Sequence, residues 1–226
     1  MSEKMALVKK RLVVVGYGVA GSQIACQLAV KGKYSITVLN PYDYMEVPLS
    51  MTMVMAAGPE AHDKCIYPLM RETGVEYVIG ICASITDGTV TTTTGQSIPF
   101  DVCVLATGQD MSIFMPNPVT EATMAQRKAT INALYTKIQA AQTIVISGGG
   151  PLGCETAADI KIRNKDKKVV LVHAQGALLS TMNWGLPAVA ASSLQAMGIE
   201  VVFNTKVRYP NKWGAKRQVP LCEAVV

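Results

Sequence analysis

The sequence predicts an α/β protein of two similar units, each a parallel sheet flanked by helices. Three observations predict it. Two apolar, β-branched runs each end in a glycine-rich turn that opens a helical pattern: RLVVVGYGVAGSQIACQLA from Arg11 and QTIVISGGGPLGCETAADI from Gln142. Each is followed by a second short apolar run, SITVL at 35–39 and VVLV at 169–172. The two patterns are offset by 148 − 16 = 132 residues, glycine to glycine. That offset describes a duplicated unit rather than a solenoid, whose periods are far shorter.

Taken in order, residues 11–16 read as a buried parallel strand, and Gly21, Ile24, Ala25 and Leu28 as the inner stripe of the first helix. Ser35–Leu39 is the second strand, ending at Asn40. A loop with short helix follows and is closed by Gly58 and Pro59; Val75–Ile85 is one β-rich stretch. Residues 89–100, TVTTTTGQSIPF, read as a hairpin turning near Gly95. Asp101–Leu105 reads as a buried strand leading into Ala106-Thr107-Gly108. A helix is expected over Glu121–Ala141, with Ile131, Leu134, Tyr135 and Ile138 at helical spacing. Thr143 begins the second unit, whose second strand ends at His173. Leu186, Val189, Ala190, Leu194 and Met197 then form one apolar helix face, and Ile199–Phe203 a last strand.

The two turns share the spacing G-x-G-x-x-G: Gly16, Gly18 and Gly21, then Gly148, Gly150 and Gly153. Strand before and helix after are the context that makes this spacing a Rossmann-type dinucleotide fingerprint. The first glycine permits the tight turn, the second lets backbone approach a pyrophosphate, and the third lets helix pack on strand. The new helix then offers N–H groups and its positive dipole end to the phosphates. The competing reading is a turn serving packing alone, and the strand and helix on either side weigh against it. Two such loops point to two dinucleotides, and hence to electron transfer between them. At the end of the second strand an acidic residue ordinarily holds the adenosine ribose. Here the positions hold Asn40 and His173. Asn40 keeps hydrogen-bonding capacity without charge. A neutral His173 suits either NADH or NADPH, or else caps its strand; the residues leave both open.

Half of the 226 residues are apolar and 16% are charged, which describes a well-buried globular protein. Net charge is +5, and the densest basic stretch, KIRNKDKK from Lys161, falls where the second helix should end. With no aromatic residues interleaved it reads as a solvated helix terminus, so nucleic acid is not an expected partner. Six scattered cysteines without a C-x-x-C pair or His/Cys cluster fit a reducing, cytoplasmic setting and give no metal site. The first residues, MSEKMALVKKR, lack an apolar core for a secretory signal. Leu171–Ile199 has no charged residue but is broken by Gly176, Asn183, Gly185 and Pro187, so it reads as strand, loop and helix rather than a span. Met45, Met51, Met53 and Met55 read as fillers of irregular core gaps, the alternative being a pliable surface for a lipid-like acceptor.

The order GYGVAG, NPYDYMEVP, FDVCVLATG, a helix, then GGGPLGCE resembles the FAD-dependent pyridine nucleotide–disulfide oxidoreductase superfamily. VVLVHAQGALL is most similar to its apoptosis-inducing-factor-like and ferroptosis suppressor branch, near the type II NADH dehydrogenases. The resemblance runs from about Arg11 to Val207. It implies two Rossmann-like units, residues 1–112 for FAD and 113–226 for NAD(P)H, the second inserted into the first, with a boundary near 109–115 and a linker around Met115-Pro116-Asn117-Pro118. It assigns Gly16, Gly18, Val19, Ala20 and Gly21 to the FAD pyrophosphate, Ala106-Thr107-Gly108 to closing over the same cofactor, and the Cys82 backbone to its adenine side. Gly148, Gly149, Gly150, Pro151, Leu152 and Gly153 would take NADH or NADPH, with Glu155 as the catalytic-site residue orienting the nicotinamide.

Hydride would then pass from nicotinamide to flavin, with the protein supplying alignment and electrostatics. Disulfide reductases of the superfamily carry a cysteine pair in the helix after the first ribose-binding strand. This chain has no cysteine between Cys26 and Cys65, so electrons are expected to pass directly from flavin to a small acceptor of quinone type. Thr52 or Met53 stands where the family offers an arginine to the flavin, and no lysine follows the ATG segment. Proteins of this type return after the NAD(P) unit with a Gly-Asp motif and an interface domain. The expectation here is an incomplete FAD unit, with completion by a further C-terminal region or another chain, and peripheral membrane contact, left open.

Overall fold

The computed structural model describes residues 9–69, 71–109, 114–182, 185–207 and 224–225. In chain order the elements are β1 (Lys10–Val15), α1 (Val19–Lys31), β2 (Tyr34–Asn40), β3 (Tyr44–Glu46), a 3-10 turn at Pro48–Ser50, α2 (Met51–Ala57), α3 (Pro59–Cys65), β4 (Ile66–Pro68), β5 (Val75–Ile79), β6 (Cys82–Thr86), β7 (Thr89–Thr92), β8 (Ser97–Pro99) and β9 (Val102–Leu105). There follow α4 (Met124–Ala140), β10 (Thr143–Ser147), α5 (Pro151–Arg163), β11 (Lys168–Val172), α6 (Leu186–Ala196), β12 (Glu200–Val202) and β13 (Ala224–Val225). The chain divides into two compact units. One holds the chain up to Pro48 together with His62–Ala129; the other holds Leu49–Ala61 and the chain from Thr130 on.

The first unit is built on a parallel sheet in the order β5-β2-β1-β9. β1 is buried on both faces, as parallel strands are. Leu12 and Val14 pack with Ile36, Val38 and Ala25 on one side, while Val13 and Val15 pack with Leu39, Val90 and Ile98 on the other. α1 turns Gly21, Ser22 and Ala25 to the sheet, small residues that let helix and strand approach closely. A three-stranded antiparallel sheet, β6-β7-β8, turns at Gly95 in the left-handed region, φ 85°. The second unit repeats the plan as a parallel sheet, β12-β11-β10-β13. Element for element the two orders match, the 3-2-1-4 half of a dinucleotide-binding fold.

The structure resolves one expected stretch more finely and corrects the sequence reading in three places. The Val75–Ile85 stretch splits at Gly80, so that β5 joins the parallel sheet and β6 the antiparallel one. α4 begins at Met124 rather than Glu121, because Thr123 and Gln126 form a capping box: the Thr123 N–H donates to Gln126 Oε1 at 3.0 Å and the Gln126 N–H to Thr123 Oγ1 at 3.3 Å. The expected buried strand at 101–105 is only half-buried, with Cys103 and Val104 against the core and Leu105 65% exposed, because β9 is the outer strand of its sheet among the described residues. On α6 only Leu194 is buried, and Leu186 and Val189 face solvent. Of the four methionines, Met51 and Met55 are fully buried in the second unit, the core-filling role. The expected boundary residues 110–113, Asn183 and Cys222 lie outside the described residues, and Met115–Pro118 belongs to the first compact unit.

Two glycine loops as candidate dinucleotide sites

In the first unit the turn after β1 is fixed from both sides. The Gly16 N–H donates to the Leu39 carbonyl at 2.8 Å, and the Ala106 N–H to the Val15 carbonyl at 2.8 Å. Gly16 has φ +98°, and a Cβ there would collide with the Ala106 carbonyl oxygen; a Cβ at Gly21 would collide with the Gly16 carbonyl oxygen. Both glycines therefore have a reason inside the protein. Gly18 does not. Its φ is −80°, which any residue adopts, and a Cβ there meets nothing within 4 Å. It caps α1 with no side-chain hydrogen bond and no acidic residue in the first turn. Gly18, Val19 and Ala20 are exposed. A bare helix N-terminus with a side-chain-free approach is a cradle for phosphate.

The second loop repeats the plan, except that a Cβ at Gly148 would meet nothing within 4 Å. The Gly148 N–H donates to the Val172 carbonyl at 2.9 Å. Gly148 has φ +116°, and a Cβ at Gly153 would collide with the Gly148 carbonyl oxygen. Gly150 again has φ −80° and open space, and α5 again begins without a side-chain cap, with Pro151 in its first turn where no hydrogen-bonding N–H is needed. Leu152 is half-buried. Gly149 is confined: its N–H donates to His173 Nδ1 at 2.9 Å, its carbonyl accepts the Leu179 N–H at 2.9 Å, and a Cβ would stand 2.8 Å from His173 Cγ.

The structure brings most of the expected residues to these loops. Ala106 packs on Gly16, with Thr107 and Gly108 exposed beside it. Asn40 ends β2, yet its side chain is 4% exposed and turned to the protein: Oδ1 accepts the Tyr17 N–H at 3.0 Å, and Nδ2 donates to the Tyr42 carbonyl at 2.8 Å. It anchors the loop where a ribose contact was expected. Cys82 opens β6, two residues after Gly80, whose N–H donates to the Asn40 carbonyl at 2.9 Å. Glu155 lies exposed on α5. The lysines of the basic stretch cap carbonyls: Lys161 Nζ donates to the Lys165 and Lys167 carbonyls, and Lys167 Nζ to those of Gln139 and Ala141. Among the described residues no group of three His, Cys, Asp or Glu could hold a metal, and no helix is long and apolar enough to cross a membrane.

Sequence reasoning missed a buried ion network in the first unit. Arg127, 1% exposed, donates from Nε to Glu46 Oε2 at 2.8 Å and from Nη2 to Glu46 Oε1 at 3.0 Å, and reaches Glu121 Oε1 at 3.3 Å. Glu121 Oε2 also accepts the Asn117 N–H at 2.6 Å. Burial pushes the Glu46 carboxyl above the usual carboxylate range, and Arg127 opposes the shift. The Tyr17 ring meets Tyr77 edge-on, centroids 5.3 Å apart, and burial raises the Tyr17 phenol. Nothing in the spacing marks these residues, since Glu46 and Arg127 stand 81 positions apart.

Against known proteins, the model of the pyridine nucleotide-disulphide oxidoreductase family matches residues 10–218. The chain belongs to that family. Among similar proteins, an apoptosis-inducing factor homolog B from Dictyostelium discoideum is 25% identical over 213 residues, 90% of this chain and 54% of that protein. The sulfide:quinone oxidoreductase of Aquifex aeolicus superposes with TM-score 0.69 at 20% identity, over 96% of this chain and 58% of that one. NDH2 from Plasmodium falciparum in complex with NADH superposes with TM-score 0.64 at 16% identity, over 87% and 48%. These superpositions establish the two-unit Rossmann-like fold. The chain spans about half the length of the curated relatives it matches.

Proposed function

We propose that this chain is the dinucleotide-binding part of a FAD-dependent NAD(P)H oxidoreductase, with residues 1–112 serving FAD and residues 113–226 serving NADH or NADPH. One observation carries the reading. In each unit the first glycine answers to its positive φ and the third to a backbone contact inside the protein, whereas the middle glycine, Gly18 or Gly150, answers to neither. A residue without a side chain at an uncapped helix start makes sense as space kept for a ligand's phosphates.

On this reading, the N–H groups of Gly18, Val19, Ala20 and Gly21 hold the FAD pyrophosphate, and Ala106-Thr107-Gly108 lies along it. Gly150, Leu152 and Gly153 hold the second pyrophosphate beside Gly149, whose N–H is spent on His173, and Glu155 orients the nicotinamide side. When bound, FAD takes a hydride from the nicotinamide and passes electrons to an acceptor. The chain's contribution is to hold a dinucleotide in each unit and to supply a helix dipole toward its negative charge. A small quinone is the proposed acceptor, supported by the structural likeness to a sulfide:quinone oxidoreductase and by the lack of a cysteine pair between Cys26 and Cys65. Scattered thiols support a cytoplasmic setting.

The exposure of Val102 and Leu105 along β9, beside the ATG segment, favours a second reading: nucleotide binding without turnover. The test is to saturate the purified chain with FAD, add NADH, and follow flavin bleaching and reduction of a water-compatible quinone. Bleaching with quinone reduction is the expected result. FAD binding without bleaching selects the second reading, and failure to bind either nucleotide overturns both.

A further inference from the structure

We infer that Leu179 is a positioning residue for the second glycine loop: its N–H fixes the Gly149 carbonyl and so aims the Gly150 N–H outward, at the pyrophosphate of the bound dinucleotide. The inference rests on the proposed reading of the Gly148–Gly153 loop as a nicotinamide-dinucleotide site. The Gly149 carbonyl accepts the Leu179 N–H at 2.9 Å and, more weakly, the Cys154 thiol at 3.7 Å. That carbonyl and the Gly150 N–H belong to one trans peptide. Such a peptide is planar, and its C=O and N–H point in opposite directions. With the carbonyl turned to Leu179 and Cys154, the Gly150 N–H faces the other way. It makes no hydrogen bond among the described residues, and a Cβ on Gly150 would meet nothing within 4 Å.

Leu179 holds this carbonyl from an unfavourable conformation. Its φ is 48°, in the left-handed region, where a side chain of its bulk is rarely found. Outliers of this kind persist where the surroundings over-determine them, and they cluster at ligand clamps. The surroundings here do so from several sides. Leu178 is fully buried and Leu179 is 8% exposed, and a Cβ at Gly149 would collide with Leu178 Cδ2, so the leucine pair closes on the loop. The Met182 N–H donates to the Leu179 carbonyl at 2.8 Å and tightens the turn. Upstream, the Thr205 N–H donates to the His173 carbonyl at 3.0 Å, and the Asn204 N–H to the Gln175 carbonyl at 3.1 Å. The segment from His173 to Leu179 is therefore tied down at both ends by the protein itself. Since φ sets the angle between a residue's own N–H and its side chain, a bonded N–H and a buried side chain together demand the strained value.

A donor aimed in advance needs no reordering when the anion arrives, which is how preorganisation strengthens binding.

The test is NADH titration of the full chain in wild-type form and in three altered forms, with folding followed by circular dichroism. Leu179→Asn keeps the N–H and adopts the left-handed region readily, but loses apolar packing. It should melt below wild type yet bind NADH within about threefold of it. Leu179→Val keeps an apolar side chain but is β-branched and resists that region. It should bind about tenfold more weakly. An ester in place of the Leu178–Leu179 amide, introduced with leucic acid by in vitro nonsense suppression, deletes only the N–H and should also lose about tenfold. In wild type the Gly150 amide proton should move downfield when NADH is added, and it should move less in the ester form. Were packing the whole role, Leu179→Asn would lose affinity and Leu179→Val would keep it. That pattern, an ester form that binds as wild type does, or a Gly150 amide that NADH leaves unmoved overturns the inference alone. If Leu179→Val does not fold, the ester form and the Gly150 amide decide. A wild type that does not bind NADH overturns the site reading and the inference with it.

Discussion

Alanine at two glycines of one loop should separate ligand binding from folding. Gly18 has φ −80° and open space where a Cβ would go. Gly-to-Ala at a compatible conformation gains about 0.4–1 kcal/mol through the unfolded chain. As a helix N-cap, alanine is poorer than glycine by roughly 0.5–1 kcal/mol. The two nearly cancel, so Gly18→Ala should leave stability within about 0.5 kcal/mol of wild type. Gly21 is the opposite case. Its Cβ would collide with the Gly16 carbonyl oxygen, stand 3.0 Å from the Gly16 carbonyl carbon and 3.3 Å from Ala106 Cβ. These neighbours include the backbone of the turn itself, so relief requires the turn to move, at a cost of about 1–3 kcal/mol. Urea unfolding followed by circular dichroism measures both. In FAD titrations Gly18→Ala should lose about ten- to a hundredfold in affinity, the cost of a methyl forced into an occupied approach. The reasoning fails if Gly18→Ala destabilises the fold as much as Gly21→Ala, or if it binds FAD as wild type does.

Two further outcomes follow from the ion pairs. Arg127→Met strands the buried Glu46 and Glu121 carboxylates and should cost about 3–5 kcal/mol in urea unfolding. Replacing all three members with apolar residues of matching volume should recover most of that loss, and a triple variant no better than Arg127→Met contradicts the account. Arg11 holds the exposed Asp101 carboxyl down to about 2, chiefly by a hydrogen bond to its side chain. A folded value below the unfolded one of about 3.9 means stability present above that pH and lost as pH falls through the folded value. Asp101→Asn should therefore melt slightly below wild type at neutral pH and level with it at the acid end, where equal gaps at both pH values would refute the assignment. The effect is small because solvent screens the pair.

Where local chemistry decides, the sequence was legible. The β-branched runs at 12–15 and 144–146 became central strands, and glycine spacing located both turns, because φ above zero and close backbone approach admit no other residue. Legibility ended where partners come from afar. Glu121 has the pattern of a helix residue, but its carboxylate serves Arg127 and Asn117 and Thr123 takes the cap, so α4 starts later than the pattern suggests. The 101–105 strand is apolar enough for a core, but its burial depends on a neighbour that sequence pattern does not specify. Asn40 was legible as a site residue by position only. Whether its amide faces ribose or the Tyr17 N–H is a matter of rotamer and burial, which no spacing encodes.

The most direct test of two separate dinucleotide sites is a binding stoichiometry on the full chain and on the alanine variants of the two middle glycines. One FAD and one NADH should bind per chain without competing. Gly18→Ala should weaken FAD while leaving NADH, and Gly150→Ala should do the reverse. Competition between the nucleotides, or a single substitution that abolishes both, would contradict the account.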